Sequence, residues 1–327
     1  MKRRLPEPLR ARLLAGLLAA ALGGCGGLPS LEGRTASAAF VDTADTALGR
    51  AIAPRAAAHP GRSGVYALPG ARDAFAARVL LARAAERSLD VQYYIWNDDV
   101  SGRMLLDELR QAAARGVRVR LLLDDNGIAG LDPVLAALDA HPNIEVRIFN
   151  PFVNRTFRWL GYVVDFSRLN RRMHNKSFTA DNQATIIGGR NVGDEYFDAG
   201  QGVSFVDLDV LAIGPVVSDV SRDFDRYWSS DSSYPAEQVL PSVSPSALAE
   251  FIAAASRVEE EPAAVAYMQA IASSKYVQQV LAGQLPFEWA TVQMVSDDPA
   301  KGLGLARNDE LLWTRLKKIL QTPTMEL

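Results

Sequence analysis

Between residues 71 and 149 the sequence switches repeatedly between two hydrophobic periods, and that switching leaves few architectures open. Residues 71–88 space Phe75, Val79 and Leu80 as a helix does, and residues 89–96 are rich in β-formers. Residues 101–115 return to the helical period, with Ser101 as the expected N-cap and Gly116 as the stop. Residues 117–123 then read as a strand, 131–140 as a helix and 144–149 as a strand. A strand–helix–strand order lets successive strands lie parallel with helices covering the sheet. The pattern therefore predicts an α/β fold, an α/β/α sandwich around a mostly parallel mixed sheet. Further on, residues 176–180 and 183–187 flank Asp181-Asn182, a hairpin-turn signal, while 203–213 reads as a strand and 216–229 as a helix.

Beyond Tyr234 the texture changes. Residues 246–257 and 264–281 read as helices, 289–295 as a strand and 308–320 as a helix. This order repeats the opening of the first unit. The expectation is a catalytic unit at 71–234, a helical connector at 235–285, and a second α/β unit begun at 286–327 but not completed. At the other end, Lys2, Arg3, Arg4, Arg10 and Arg12 precede an apolar run at 13–22. That run is too short for a bilayer span of about 20 residues and has the length of a signal-peptide core. Leu22-Gly23-Gly24-Cys25 is similar to a bacterial lipobox, and Cys25 is the only cysteine in 327 residues. The expected organisation is a signal peptide at 1–24, a lipidated Cys25, and a tether with an irregular lead-in at 25–70. Such an anchor would hold the protein on the periplasmic side of a bacterial membrane, since each buried methylene contributes ~0.8 kcal/mol.

Charge narrows the partners. Lys and Arg total 35 and Asp and Glu 38, a net charge of −3, which gives no general basic footprint for nucleic acid. Residues 154–176 depart from that balance: Arg155, Arg158, Arg168, Arg171, Arg172 and Lys176 face one acidic residue, Asp165, among interleaved aromatics. This composition suits anionic phospholipids at a membrane surface, and it would also suit bases stacked on aromatics. The export signal favours lipid, so no nucleic-acid partner is expected.

The chemistry concentrates in His174-Asn175-Lys176, followed by Asp181 and then Gly188-Gly189-Arg190-Asn191. On extended backbone, residues two apart share a face, so His174 and Lys176 point together and Asn175 points away. An imidazole beside an ammonium makes sense if both address one anion. Neutral histidine can attack phosphorus, and lysine can stabilise charge on the non-bridging oxygens. Gly189 would let backbone approach a phosphate, and Asn191 could donate an amide hydrogen bond to it. Asp181, past a strand end, is placed to tie the turn.

Together these residues resemble the His-x-Lys-x4-Asp signature of the phospholipase D superfamily, with Gly-Gly-x-Asn following. The stretches 91–96, 118–125, 168–178, 188–197 and 297–302 resemble bacterial cardiolipin synthase of the C type. The resemblance implies a phosphatidyl transfer to a glycerol-type alcohol through a phosphohistidine on His174, with Lys176 and Asp181 in the same motif and neither metal nor organic cofactor. It also implies an acidic residue orienting the histidine ring; Asp207 matches that position, with Asp209 as second candidate. The family uses two such motifs, and His59 and His141 both look like turn residues without a lysine two positions on. Three explanations follow: a fragment of a two-motif chain, which is the favoured one; a homodimer pairing two copies of His174, as in single-motif phosphodiesterases and nucleases; or an inactive lipid-binding fragment.

Overall fold

The computed structural model describes residues 27–200 and 202–322; the signal-peptide run and Cys25 lie outside them. Among the described residues, nine strands form one sheet: β1 (Ser63–Leu68), β2 (Ser88–Ile95), β3 (Arg118–Gly127), β4 (Ile144–Phe149), β5 (Ser177–Ala180), β6 (Ala184–Gly188), β7 (Asp209–Ile213), β8 (Ser233–Pro235) and β9 (Glu288–Ala290). Their order across the sheet is β8-β4-β3-β2-β5-β6-β7-β1-β9. The helices used below are α1 (Ala47–Ala57), α2 (Ala71–Ala84), α3 (Val100–Ala114), α4 (Asp132–Asp139), α5 (Arg158–Val164) and α6 (Val216–Trp228).

The predicted parallel core is present: β2 pairs with β3 and β3 with β4 in parallel, with α3 and α4 as the crossovers. The sheet as a whole is mixed, and the expected parallel majority is confined to these three strands. The other six pairings are antiparallel. Connection length explains part of this, because tight turns join only antiparallel neighbours. Asp181 and Asn182 sit at φ 51° and 50°, the left-handed pair that a type I′ hairpin turn requires between β5 and β6.

β3 shows how the sheet is sandwiched. Val119, Leu121 and Leu123 join a large apolar cluster with Phe75 of α2 and Leu105 of α3. Leu122, on the other face, joins Phe149, Met173 and the α6 residues Phe224, Tyr227 and Trp228. Burying each such leucine contributes about 2 kcal/mol. Arg120 shares the α6 face and is fully buried. It is held by Asp90 at 2.7 Å and Asp225 at 2.8 Å, the pairing that lets a charge sit in a core.

Several boundaries differ from the sequence reading. Residues 27–70 are not merely a tether: they contain α1 and β1, and β1 is paired on both sides, with β7 and β9. Arg34 also reaches the carbonyls of Ser229, Ser230 and Ser233. Ser101 lies inside α3, whose N-cap is Asp99, its carboxylate accepting from the Gly102 amide at 2.9 Å. The strand expected at 203–213 begins only at Asp209, because Gly188–Asp209 is the last pairing that β6 offers. Residues 247–281 contribute Phe251, Tyr267 and Tyr276 to the main cluster rather than only connecting units. The strand near Trp289 is β9, which joins the edge of this same sheet beside β1.

Candidate active site

Strand direction brings the motif residues to one edge of the sheet. β2, β3, β4 and β6 end there, and the antiparallel β5 and β7 begin there. His174 and Lys176 immediately precede β5, Gly189 follows β6, and Asp207 precedes β7. In sheets of this kind ligands sit outside the carboxyl ends of the parallel strands.

The shared face predicted for His174 and Lys176 is present. The Lys176 ammonium lies 2.9 Å from His174 Nδ1 and donates to the His174 carbonyl at 2.8 Å. Lys176 is buried while the His174 ring faces the cleft. Burial lowers the Lys176 pKa to about 8, against the opposing pull of Asp207, Asp209 and Asp124. Partial enclosure lowers the His174 pKa, helped by the positive charges of Lys176 and Lys301. Both shifts favour the uncharged forms: the ring is held toward neutrality, and the lysine is less firmly held as a cation. Asn175 does not join this contact: its amide reaches Asp223 at 3.3 Å, on the wall of a cleft that His174 and Lys176 also line.

Tyr94, at the end of β2, is a site residue that periodicity did not reveal. Its ring lies 4.6 Å from the His174 ring, and the Lys176 ammonium sits 5.5 Å from its centre. The approach to His174 is set from behind by Asp124. This fully buried carboxylate accepts from the Met173 amide at 2.8 Å and from Arg172 at 3.1 Å. Burial raises its pKa to about 6, while Arg172 pulls the other way. Asp125 beside it holds the Phe152 amide at 2.6 Å and Arg155 at 2.7 Å. The Asp124-Asp125 pair thus pins both ends of the loop that leads to His174 and Lys176. The pair lies in the stretch 118–125 that carries the family resemblance, just past the strand read at 117–123; its partners some 25–50 residues on were not visible.

Two clefts meet at His174. One, of about 410 Å³, runs past Lys176, Gln92 and Val220 to Ser296 and Asp297. The other, of about 490 Å³, is lined by Arg171, Arg172, Lys301 and Gly304.

Asp181 ties a turn, as its position past a strand end predicts, whereas Asn191, Gly189, Asp207 and the second candidate Asp209 are not placed as expected. Asp181 lies at the far end of β5, fully buried, its carboxylate accepting from the backbone amides of Glu86, Arg87 and Ser88 at 2.7–3.0 Å. It holds the turn into β2 and does not reach the cleft. Asn191 is buried, with its carbonyl oxygen on the Ile95 amide and its amide on the Tyr196 hydroxyl, both at 3.1 Å. Those bonds commit it to protein rather than to a phosphate. Gly189 makes room for a carboxylate: a Cβ there would fall 1.9 Å from Asp207 Oδ1. Asp207 accepts from its neighbour Leu208 and bears on Lys176 through its charge; the ring nitrogen it was expected to orient is met by Lys176 instead. Asp209, the second candidate, is fully buried against Arg78 at 2.8 Å and the Arg190 amide at 3.2 Å.

The other two histidines stay outside both clefts. His59 stacks on Trp289, and His141 accepts from the Asn143 amide in its turn. The excess charge of residues 154–176 is largely answered within the fold: Arg155 and Arg158 pair with Asp132, Arg168 with Asp165, and Arg172 with Asp124.

Residues 80–228 match the family model described as "Cardiolipin synthase, PLD-like domain". The chain belongs to the phospholipase D superfamily, whose members named here include enzymes of phospholipid synthesis. Within it, the chain is 52% identical over 277 residues to cardiolipin synthase C of Escherichia coli, covering 85% of this chain and 58% of that protein. It is 41% identical over 214 residues to an uncharacterised protein of Helicobacter pylori, covering 65% of this chain and 43% of that one. Among solved structures, NucT from Helicobacter pylori aligns with 53% of this chain and 98% of its own, at 15% identity and a TM-score of 0.40. The chain spans about half the length of the curated relatives it matches. No helix among the described residues is long and apolar enough to cross a membrane.

Proposed function

We propose that this chain carries the nucleophilic half of a cardiolipin synthase-like phosphatidyltransferase, held on the periplasmic side of a bacterial membrane through Cys25. The observation that carries the reading is the contact of Lys176 with His174 at the junction of two clefts. An ammonium is a donor only, so its contact at Nδ1 leaves the proton of the neutral ring on Nε2. An anionic phosphodiester entering the cleft competes for that ammonium and releases the ring. A ring nitrogen then attacks phosphorus, and the bond from phosphorus to the departing glycerol oxygen breaks. The phosphatidyl group is left on His174, while Lys176 neutralises the non-bridging oxygens. The departing oxygen takes a proton from the histidine of a second motif. The same group then removes a proton from the acceptor alcohol, whose oxygen attacks phosphorus and frees His174. Neither His59 nor His141 can serve, so the second motif comes from a longer form of the chain or from a second copy.

The test is a covalent one. Incubation with short-chain phosphatidylglycerol and acid-free digestion should leave an acid-labile phosphatidyl adduct on the peptide containing His174. His174→Ala should lose the adduct with an unchanged circular dichroism spectrum. An adduct that persists in His174→Ala overturns the nucleophile assignment, and a full-length product that never forms one overturns the transferase reading.

A further inference from the structure

The sheet edge that bears His174 also bears unusual apolar exposure. On α5 and just after it, Trp159 is 63% exposed, Val163 73%, Val164 82% and Phe166 59%. Across the site, in the segment before β7, Val203 is 79% exposed and Val206 fully exposed. The loops carrying both groups leave the sheet at the edge where β4 and β6 end and β5 and β7 begin, so they flank the catalytic pair. Clustered exposure of this kind marks an interaction surface, unlike scattered single residues.

α5 is also held outward by design of its base. Arg155 is bonded to Asp125 and Asp132, and Arg158 to Asp132 and the Asp125 carbonyl, so the charged roots are fixed and neutralised while the apolar tip is exposed among the described residues. The tip is joined to the site by hydrogen bonds: Tyr162 donates to Asn126 at 2.6 Å, and Asn126 donates to the hydroxyl of Tyr94, the residue against the His174 ring. A few residues past the tip along the chain, Arg171 and Arg172 line the cleft that ends at His174, together with Lys301; Arg172 is paired with Asp124 and Lys301 with Asp297, while the Arg171 guanidinium bonds only to a serine hydroxyl among the described residues. Arg171 lies against Gly304, where a Cβ would meet its guanidinium at 2.4 Å. An apolar tip beside a basic cleft is complementary to one partner in particular: a bilayer leaflet whose anionic headgroups sit next to its acyl chains. Bases or an acidic peptide would satisfy the cleft but leave the valines facing water.

We infer that α5, with the segment at 203–208, is the membrane-docking face of the protein, dipping into the leaflet so that a headgroup enters the Arg171–Lys301 cleft toward His174. The inference extends the lipid reading above, and its test needs no turnover. In a full-length Cys25→Ser chain, Val163→Cys is labelled with an environment-sensitive fluorophore, and Arg222→Cys, exposed on α6, serves as the control. Vesicles of phosphatidylglycerol and phosphatidylethanolamine should shift the Val163 probe to the blue, and nitroxide-bearing lipid should quench it, with neither effect at Arg222. Adding Trp159→Glu and Val164→Glu should weaken partitioning about tenfold or more. His174→Ala should shift identically, which separates this inference from the transferase reading. A probe that stays aqueous at saturating lipid overturns the inference. So does a probe shielded without lipid: at all protein concentrations that means the chain itself covers α5, and with rising concentration it means a second copy does.

Discussion

The two ends of the segment from His174 to Asp181 differ more than their shared motif suggests. At the leading end, an imidazole and an ammonium meet above a cleft with donor capacity to spare. At the trailing end, seven residues and one strand away, a fully buried carboxylate takes three backbone amides and is finished. Reactive groups are recognisable by what they leave unsatisfied, and structural groups by how completely they are satisfied. The glycine pair at the end of β6 makes room for carboxylates: a Cβ on Gly188 would strike Asp209, and one on Gly189 would strike Asp207.

The sharpest way to break this contrast is at the leading end. Lys176→Ala should slow formation of the His174 adduct about 10²–10³-fold, measured by rapid quench, while the urea midpoint barely moves. At the trailing end the effects should exchange. Asp181→Ala should cost about 3 kcal/mol in urea unfolding, because three amides lose a charged acceptor and a left-handed position receives a residue that resists it, with adduct formation per folded molecule unchanged. Asp181→Asn keeps one acceptor oxygen and tolerates that backbone, so most of the loss should return. A slow but stable Asp181→Ala chain would place this residue in the chemistry after all.

The smallest effect is in pH. Adduct formation requires neutral His174 and charged Lys176, so its rate should rise through a midpoint below the ordinary histidine value and fall again near pH 8, where the Lys176 ammonium is lost. Lys301→Ala removes a positive charge that disfavours the imidazolium. It should move the acid limb upward and leave the alkaline limb in place; an acid limb that does not move would mean Lys301 is too well paired with Asp297 to act on the ring.

Much of this was legible along the chain. Periodicity located β2, β3, β4 and α2 to α4 because each buries a continuous apolar stripe. The hairpin at Asp181-Asn182 was legible because few residues accept a left-handed pair. β1 was missed within its Ala- and Gly-rich surroundings, since nothing local announces that β7 and β9 will pair with it. The roles of Asn191 and Asp207 were misread for a related reason. A hydrogen-bonding side chain at a motif position has the same letter whether its partner is a phosphate or the Ile95 amide.

What the sequence by itself determined is the alternation of elements and the shared face of His174 and Lys176, because both follow from backbone geometry over a few residues. Tertiary structure alone decided which strand ends converge on one edge and that Tyr94 packs against His174 and Lys176. It also decided that Asp124 and Asp125 spend their charge on a loop some 25–50 residues away. Those outcomes depend on which groups the compact fold brings together, and partners distant in sequence leave no period to read.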